Sequence, residues 1–392
     1  MGTELTAVGL FSGIGGFELG FRKSGIETKL VCEIDELAAT VLQTKMCRKE
    51  PRLTYFPDVR DLKSIPQVDI LAAGFPCQNL SLVGMNAGIR GAQSRLVDEV
   101  FRLIAPIDAG PKWVVLENVP FMLWHRRGEA IEFVTSKLDE LGFRWAYRVV
   151  DARSFGLPQR RRRVIIVASR IDDPRRVLFA DEASPQDGID DGRVPCGFSW
   201  TEGRFGLGWA VNCVPTLKAG SAVGVVSPPA IWLREQQTIV TPNIRDAERL
   251  QGFDAGWTDI EFNGSKIKPG ARWRMVGNAV PVPVAEWLGE RLVEPGPQGN
   301  HLNCSPWEGG VWPNAAYGER GTIFRVEISE WPRVPKLPGL SEFLSHEPSK
   351  LSARAAAGFL KRAQSGSLRF APGFLDAVAE HVEEMSKERE AA

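Results

Sequence analysis

Short apolar runs alternate with longer amphipathic stretches from residue 5 to about residue 170. Short apolar runs are typical of buried strands, and apolar residues recurring about every 3.6 positions are typical of helices. The pattern predicts strands at 6–11, 29–33, 68–73, 113–117, 146–150 and 164–168. It predicts helices at 17–23, 35–45 and 129–141. Such alternation predicts an α/β fold with a mostly parallel sheet flanked by helices.

The pattern changes after Arg170, where the sequence becomes rich in proline, glycine and aspartate. Short strand-like pieces follow, which indicates a smaller, loop-rich domain up to about residue 245. Residues 294–310 are typical of a linker, and the chain ends in two predicted helices at 349–363 and 374–387.

Overall composition narrows the class of protein without identifying its function. Apolar residues make up 43% and charged residues 24% of the 392 positions, which is ordinary for a folded globular chain. The 48 basic residues equal the 48 acidic residues, so a nucleic-acid surface requires local clustering, and eight arginines do cluster between Asp151 and Arg176. The six cysteines include no C-x-x-C pair, which argues against a zinc site or a disulfide framework and favours the cytoplasm. We expect no metal, no signal peptide and no membrane span.

Residues 10–20 read LFSGIGGFELG, a glycine-rich turn between a strand and a helix. Open α/β sheets bind nucleotide-like ligands at such turns. The third glycine of the dinucleotide pattern would fall at position 18, where this chain has Glu18. The next strand ends at Glu33, whose carboxylate is suited to a ribose diol. A plain tight turn and a solvated strand end explain these residues equally well.

Residues 68–81 read VDILAAGFPCQNLS, an apolar strand that ends in a stiff loop at Pro76 and Cys77. A cysteine here is a candidate nucleophile, although a lone cysteine is more often a small buried side chain. Residues 113–120 read WVVLENVP and place Glu117 at the end of another apolar strand. This carboxylate is either an ion-paired cap or a proton donor whose pKa burial raises. Both residues would face one cleft.

Residues 156–168 read GLPQRRRRVIIVA, with arginines directly ahead of a strand. Strand alternation places Arg161 and Arg163 on one face and Arg160 and Arg162 on the other, so one pair can point into the cleft. The alternative is a solvated patch that binds phosphates.

The blocks LFSGIGG, GFPCQNLS, ENVP, QRRRR, RLQGF and GNAVPVPVA, taken in this order, resemble the DNA cytosine-5 methyltransferase family over about residues 5–292. The resemblance implies a Rossmann-like fold of S-adenosylmethionine-dependent methyltransferases with a smaller, loop-rich target-recognition domain. It implies a catalytic and cofactor-binding domain at 1–170, joined by the returning segment 272–292, and a target-recognition domain at 171–271. Residues 293–392 would be a linker and a helical extension of unknown role.

The implied enzyme flips a cytosine out of a short duplex sequence and transfers the methyl group of S-adenosylmethionine to its carbon 5. The resemblance makes Cys77 the nucleophile and Glu117 the residue that helps the ring nitrogen accept a proton. Arg163, with Arg161 behind it, would hold the base carbonyl. Residues 82–95 would form a mobile lid, and helix 282–292 would pack back beside the first strand.

The resemblance places a further set of residues at the ligands. Those at the cofactor are Phe11, Ser12, Gly13, Ile14, Gly15, Gly16, Glu33, Ile34, Asp58, Val59, Pro76, Asn278, Ala279 and Val280. Those at DNA are Gln78, Ser81, Arg95, Gln159 and Thr216. The expected partners are double-stranded DNA and a cognate restriction endonuclease, and the expected state is a monomer.

The chain departs from the family at Gly9, where many members have an acidic residue, so we expect the contact of that acid to be missing. Three alternatives remain at this stage. A tRNA methyltransferase on the same scaffold typically has Phe-Thr after the glutamine, whereas this chain has Gln78-Asn79-Leu80-Ser81. A nicotinamide-dependent oxidoreductase with a reactive cysteine is disfavoured by Glu18. A catalytically inactive relative is disfavoured because Cys77, Glu117, Arg161 and Arg163 are all present.

Overall fold

The structure is a computed structural model in which the chain forms two compact units. It describes residues 5–76, 95–106, 110–186, 188, 190–204, 206–220, 226–297, 302–319, 321–334 and 336–391. The first unit comprises Met1–Phe155, Arg162–Pro185 and Ala279–Val334, and the second comprises Gly156–Arg161, Gln186–Asn278 and Pro335–Ala392. None of the helices in these described ranges has the length and apolar content needed to cross a bilayer.

The described part of the first unit is built on a ten-stranded sheet. Its strands are β1 Thr6–Leu10, β2 Glu27–Cys32, β3 Thr54–Phe56, β4 Ile70–Gly74, β5 Trp113–Asn118, β6 Arg144–Asp151, β8 Arg162–Ser169, β16 Cys304–Pro306, β17 Ala315–Glu319 and β18 Thr322–Val326. All six strands predicted from the sequence are present, with ends shifted by at most two residues.

The strand order is β16-β18-β17-β6-β8-β5-β4-β1-β2-β3. Neighbours from β5 to β3 run parallel, whereas every pairing from β5 to β16 is antiparallel. The expectation of a mostly parallel sheet is therefore wrong for the half of the sheet from β5 to β16. Strand β8 lies between β5 and β6 and runs antiparallel to both. Antiparallel neighbours do not need the crossover helix that joins parallel strands.

Helices cover both faces of the parallel half. The helices of this unit are α1 Gly16–Lys23, α2 Glu36–Leu42, α3 Arg95–Ile104, α4 Glu129–Glu140, α5 Arg175–Leu178 and α8 Val282–Val293. Asp35 caps α2 by accepting hydrogen bonds from the amides of Leu37 and Ala38. The predicted helix 35–45 does not stay α-helical, because the amide of Arg48 bonds the carbonyl of Gln43 and the last turn is a π-helix.

The returning helix α8 packs against α1 and reaches the first strand, as the sequence predicted. A Cβ on Gly20 of α1 would lie 2.5 Å from the Cβ of Ala285 on α8, so glycine permits this close approach. Both helices share an apolar cluster with Ala7 of β1. The contact fixes the segment just before α8 at the end of the first strand.

Residues 304–326 contradict the prediction of a linker and helical extension. They form β16, β17 and β18, which continue the main sheet beyond β6. The Tyr147 hydroxyl donates to the carbonyl of Pro313, and Gly128 packs against the Trp312 ring. Glycine, proline and tryptophan dominate this stretch, so the period-2 pattern of a strand was hidden.

The second unit contains a five-stranded sheet of order β10-β9-β12-β13-β19 and shorter pairs. Its strands are β7 Gln159–Arg160, β9 Cys196–Phe198, β10 Ala210–Val211, β11 Val214–Pro215, β12 Ala230–Leu233, β13 Thr238–Thr241, β14 Glu261–Phe262, β15 Ser265–Lys266 and β19 Ser349–Lys350. Its helices are α6 Ile244–Arg249, α7 Pro269–Asn278, α9 Leu340–Phe343, α10 Ala353–Gln364 and α11 Phe374–Ala391.

The two C-terminal helices are part of the core of the second unit. Phe374 at the start of α11 lies 5.0 Å from the Phe198 ring and 5.5 Å from the Trp232 ring, measured between centroids. The buried His381 imidazole lies 2.7 Å from the carbonyl of Leu351. These helices were predicted from sequence, but their packing on β9, β12 and β13 was not.

Candidate active site

The glycine-rich turn joins β1 to α1 at the carboxyl end of the parallel strands. The Ser12 amide donates to the carbonyl of Cys32 at 3.0 Å, which ties the turn to β2. Gly13 and Gly15 have φ values of +57° and +92°, a region that glycine enters at little cost. A Cβ on Gly13 would meet no atom of the described residues within 4 Å, so the backbone there borders open space within that part of the chain.

Glu33 holds this turn in place from the end of β2. Its two carboxylate oxygens accept hydrogen bonds from the Gly13 amide at 2.8 Å and from the Asp35 amide at 2.7 Å. Burial raises the pKa of Glu33, and these amide donors oppose the shift. Glu33, which the sequence predicts to bind the ribose, thus also supports the glycine-rich turn.

The segment before α8 completes this end of the sheet. A Cβ on Gly16 would lie 2.2 Å from the carbonyl oxygen of Val280, so the start of α1 touches this backbone. Both Ala279 and Val280 are buried. The structure therefore brings the predicted cofactor residues Gly16, Ala279 and Val280 together across more than 260 positions of sequence.

The remaining predicted cofactor residues of the first unit flank the same strand ends. Ile14 and Val59 are buried, whereas Ile34 is 60% exposed. Phe11 adopts a positive φ of 55°, and Asp58 accepts a 2.9 Å hydrogen bond from Arg60 Nε. Arg60 lowers the pKa of Asp58. Asp58 is ionised beside an arginine, an environment the sequence pattern did not indicate.

Glu117 lies at the end of β5 and forms an ion pair with Arg163 of β8. Arg163 Nε is 2.7 Å from Glu117 Oε1, and each side chain is 11% exposed. Burial lowers the pKa of the Arg163 guanidinium, and the adjacent Glu117 carboxylate opposes that shift. A Cβ on Gly74 would lie 3.5 Å from Glu117 Oε2 and 3.6 Å from Val280 Cγ2. The carboxylate is therefore close to the segment predicted to hold the cofactor.

Asn118 is a residue of this site to which the sequence analysis gave no role. Its buried Nδ2 donates to the carbonyl of Phe75 at 3.1 Å, and its Oδ1 accepts from the Val119 amide at 2.8 Å. Phe75 directly precedes Pro76 and Cys77. Asn118 thus anchors the chain that leads to the predicted nucleophile, and its position next to Glu117 was the signal available in the sequence.

Several predicted residues lie outside the described part of the chain. These are Cys77, Gln78, Ser81 and the predicted lid that follows, together with the side chain of Arg95 at the start of α3. Pro76, the last described residue before this segment, is exposed.

Four predicted residues belong to the second unit. Gln159 is completely buried, its Nε2 donating to the carbonyl of Leu250 at 2.8 Å and its Oε1 accepting from the Leu217 amide at 3.0 Å. Its polar atoms are thus used inside the unit, and its contact with DNA stays a prediction that this burial does not support. Thr216 Oγ1 donates to the carbonyl of Arg160 at 2.8 Å, and Asn278 is the exposed last residue of α7.

Arg161 is also buried within the second unit. Its terminal nitrogens donate to the carbonyls of Leu217 at 3.0 Å and Gly277 at 3.1 Å. Arg160 and Arg162 are exposed, so the predicted alternation of buried and exposed arginines is confirmed. Arg161 supports the backbone on either side of it, and this geometry gives no sign that it holds a base.

Glu18 is a second carboxylate that the sequence analysis did not assign. It is 2% exposed in the first turn of α1, and a Cβ on Gly9 would lie only 1.9 Å from its Oε1. The carboxylate of Glu18 therefore fills the space that a side chain at position 9 would take, and the missing contact of the family's acidic residue stays a prediction. The pairing of a glycine at position 9 with a glutamate at position 18 was the available signal.

Comparisons with known proteins agree with this geometry. Residues 5–189 match the C-5 cytosine-specific DNA methylase family. The chain is 46% identical over 371 residues to Type II methyltransferase M2.BsuMI of Bacillus subtilis (strain 168), covering 92% of this chain and 93% of that protein. It is 28% identical over 309 residues to Type II methyltransferase M.MspI of Moraxella sp, covering 74% and 71%.

Among solved structures, the crystal structure of the S. pombe Dnmt2 methyltransferase is similar with a TM-score of 0.56 and 15% identity. The superposition covers 74% of the present chain and 99% of the Dnmt2 chain. At 15% identity, this similarity shows a shared fold and nothing further. The fold is the Rossmann-like fold of S-adenosylmethionine-dependent methyltransferases, and the nicotinamide-dependent alternative is wrong. The chain belongs to the C-5 cytosine-specific DNA methylase family and is an enzyme that transfers a methyl group from S-adenosylmethionine to carbon 5 of cytosine in DNA.

Proposed function

We propose that this enzyme methylates cytosine within one short duplex sequence, with Cys77 as nucleophile and the Glu117–Arg163 pair as the group that binds the flipped base. The observation that supports this most is the buried 2.7 Å ion pair beside Gly74. One oxygen of Glu117 is held by Arg163, and the other faces the end of β4, from which the chain continues to Cys77. Asn118 fixes that continuation through the carbonyl of Phe75.

The proposed chemistry follows from the weakness of cytosine carbon 5 as a nucleophile. The Cys77 thiolate adds to carbon 6, the ring double bond shifts its electrons toward carbon 5, and the ring nitrogen accepts a proton beside Glu117. Carbon 5 then bonds to the methyl group, whose bond to sulfur breaks, and S-adenosylhomocysteine is the leaving group. Loss of the proton from carbon 5 and departure of the Cys77 thiolate restore the double bond, and the ring nitrogen gives back its proton beside Glu117. Arg163 keeps the carboxylate oriented while charge develops on the base.

The residues at the other strand ends fit S-adenosylmethionine. Within the described part of the chain, Gly13 borders open space at the turn, Ile34 is exposed, and Glu33 lies at the end of β2. A ligand with an apolar ring and a ribose suits this set. The bound cofactor supplies the activated methyl group, and the chain binds and orients it.

The second unit is the proposed target-recognition region. The sequence assigned that role to 171–271, with 1–170 and 272–292 catalytic and 293–392 unassigned. The compact units support a revised proposal, in which Gly156–Arg161, Gln186–Asn278 and Pro335–Ala392 act together. The short strands and long connections of this unit are typical of surfaces that read DNA, and Thr216 is its proposed backbone contact.

A cytoplasmic, monomeric enzyme of a restriction–modification system is the proposed setting. The relatives named Type II methyltransferases support it. A cognate restriction endonuclease that cuts the unmethylated sequence would be the partner.

The test is transfer of labelled methyl from S-adenosylmethionine to duplex DNA by wild-type enzyme and by Cys77→Ser. We expect transfer by the wild type and none by Cys77→Ser. Cys304→Ser, at an exposed cysteine of β16, is the control variant and should be active. Duplex DNA with 5-fluorocytosine at the target should trap a covalent complex, because carbon 5 then has no proton to lose. Transfer to tRNA and not DNA, or an active Cys77→Ser variant, would overturn the proposal. An inactive wild type would favour the inactive-relative alternative.

A further inference from the structure

The Trp124 loop, residues 119–128 between β5 and α4, exposes a group of aromatic side chains. Phe121 is 40% exposed and Trp124 is 59% exposed, whereas the other large apolar side chains exposed in the described ranges are aliphatic. The Phe121 ring contacts two further rings, with centroid distances of 4.5 Å to Trp124 and 4.3 Å to His125. Single exposed apolar residues are ordinary, but a group of them at the surface is typical of a binding site.

The same loop is positively charged. Its ten residues include Arg126 and Arg127 and no acidic residue, and both arginines are exposed. The next acidic residue along the chain is Glu129, which begins α4. A partner with anionic groups beside flat or cyclic ones complements this surface. DNA has both, in its phosphates and in its sugars and bases.

The backbone of the Trp124 loop is fixed by the structure beneath it. Arg126 and Arg127 have φ values of 47° and 60°, which residues other than glycine adopt rarely. Such a conformation persists where the surroundings hold it, and it is common at functional sites. Leu123 is buried in the main core, and a Cβ on Gly128 would lie 2.2 Å from Trp312 Cδ1. The exposed rings and guanidinium groups are therefore carried by a loop that is packed at its base.

The Trp124 loop begins beside the proposed base-binding pair. Asn118 follows Glu117 in β5, and its Oδ1 accepts a 2.8 Å hydrogen bond from the Val119 amide. Phe121 is four residues after Glu117, so their Cα atoms are at most about 14 Å apart. A flipped base stays attached to its strand, in which a phosphate recurs about every 3.4 Å of duplex length. Several phosphates and sugars next to the target nucleotide thus lie as close to Glu117 as this loop does.

We propose that the Trp124 loop binds the sugar–phosphate backbone of the target strand beside the flipped cytosine. Arg127 contacts a phosphate, and the Trp124 ring packs on the adjoining deoxyribose. This inference rests on the proposed function, because it takes Glu117 as the group that receives the flipped base. It adds a DNA contact from outside the region proposed to read the sequence. Backbone contacts supply affinity and register without direct base readout.

The experiment measures the salt dependence of DNA binding. An unmethylated duplex of mixed sequence, about 30 base pairs long, is titrated with enzyme and S-adenosylhomocysteine, and fluorescence anisotropy gives Kd at several salt concentrations. For Arg127→Ala we expect roughly 5- to 10-fold weaker binding at low salt. The slope of log Kd against log salt should fall by about 0.9, the value for one phosphate contact. Trp124→Ala should weaken binding by a similar factor with an unchanged slope, because no charge is lost.

Two control variants lie at the opposite edge of the main sheet from Glu117. Arg144 is paired with Ser169 at the start of β6, and Ile171 follows the end of β8. Both side chains are exposed. Arg144→Ala and Ile171→Ala should therefore leave Kd and the slope unchanged. An equal loss in Arg144→Ala would overturn the proposal. Wild-type Kd and slope in both loop variants would also overturn it, and this result is expected if the loop binds a protein instead.

Further measurements separate the contact from folding and from the proposed chemistry. Affinity for S-adenosylhomocysteine and the unfolding midpoint should be the same in the loop variants and the wild type. Arg127→Lys keeps the charge and should restore the slope, whereas a reduced slope in this folded variant would contradict a phosphate contact. Because Kd is measured without methyl transfer, an unchanged slope rejects the contact of this loop with DNA. An active Cys77→Ser variant rejects the proposed chemistry instead.

Discussion

Two buried carboxylates lie in the first unit, Glu117 on β5 and Glu18 on α1, and their surroundings differ. Glu117 has an arginine 2.7 Å away, whereas the charged group that acts on Glu18 is another carboxylate, Glu33. Burial raises the pKa of Glu18 to about 7, and the Ser12 hydroxyl opposes part of this shift. Burial alone therefore does not decide what surrounds a carboxylate. The Arg163 guanidinium pairs with Glu117, whereas no such pair offsets the desolvation of Glu18 within the described part of the chain.

The largest expected effect on stability comes from removing the arginine that pairs with Glu117. Arg163→Ala leaves the Glu117 carboxylate buried and unpaired, which should lower the free energy of unfolding by about 3–5 kcal/mol. Methyl transfer should fall as well, because the carboxylate loses its orientation. Chemical denaturation and single-turnover kinetics measure the two effects.

The adjacent Arg162 offers a matched control for this variant. Arg162 is exposed and pairs with Glu330 at the surface, where ion pairs contribute about 0–1 kcal/mol. Arg162→Ala should therefore change stability and kcat little. Equal destabilisation by the two variants would mean that burial of the Glu117–Arg163 pair has no energetic consequence.

The second prediction concerns pH and applies to Glu18. The folded protein binds the Glu18 proton more tightly than the unfolded chain, in which the pKa of a glutamate is about 4.5. Stability from this group is therefore fully present below about pH 4.5 and is lost as pH rises through about 7. At about 1.4 kcal/mol per pH unit, the loss approaches roughly 3 kcal/mol.

This pH effect is isolated by subtracting the curve of Glu18→Gln from that of the wild type, both without cofactor. The difference should slope downward between about pH 5 and pH 7 and then level off. A flat difference curve without ligand would show that Glu18 is not held protonated by its surroundings.

The third prediction tests Glu117 as a group that acts on the base. Glu117→Gln keeps the size of the side chain and removes its charge, so kcat should fall by roughly 10²-fold while cofactor affinity changes little. Steady-state assays of methyl transfer give kcat, and calorimetry with S-adenosylhomocysteine gives the cofactor affinity. A large loss of cofactor affinity with normal kcat would place the role of Glu117 in cofactor binding instead.

The contrast between these carboxylates also indicates how far the sequence could lead. The parallel strands, the glycine turn and Glu117 were predictable because each is a local pattern with a physical reason. Glu18 was not, because its proximity to Gly9 arises from the tilt of a helical side chain onto a neighbouring strand. The same applies to Gln159, whose partners Leu250 and Leu217 lie more than 50 positions away. The strands at 304–326 were missed because their pattern depends on an existing sheet edge rather than on local alternation.

The smallest expected effect concerns Asn118, which acts on the chain leading to the nucleophile. Asn118→Ala removes one buried hydrogen bond to the carbonyl of Phe75 and leaves the Glu117–Arg163 pair intact. The substitution also removes the acceptor of the Val119 amide. Loss of a buried hydrogen bond is worth about 1–2 kcal/mol, so methyl transfer should fall at least roughly 10-fold, with S-adenosylhomocysteine affinity unchanged. Asn303→Ala, which removes an exposed side-chain hydrogen bond to Glu327, should leave both values unchanged. Because Asn118 is proposed to position Cys77 rather than the base, the rate of covalent trapping by 5-fluorocytosine DNA should fall by the same factor as kcat. A normal trapping rate with reduced kcat would instead place the effect of Asn118 after the attack of the thiolate.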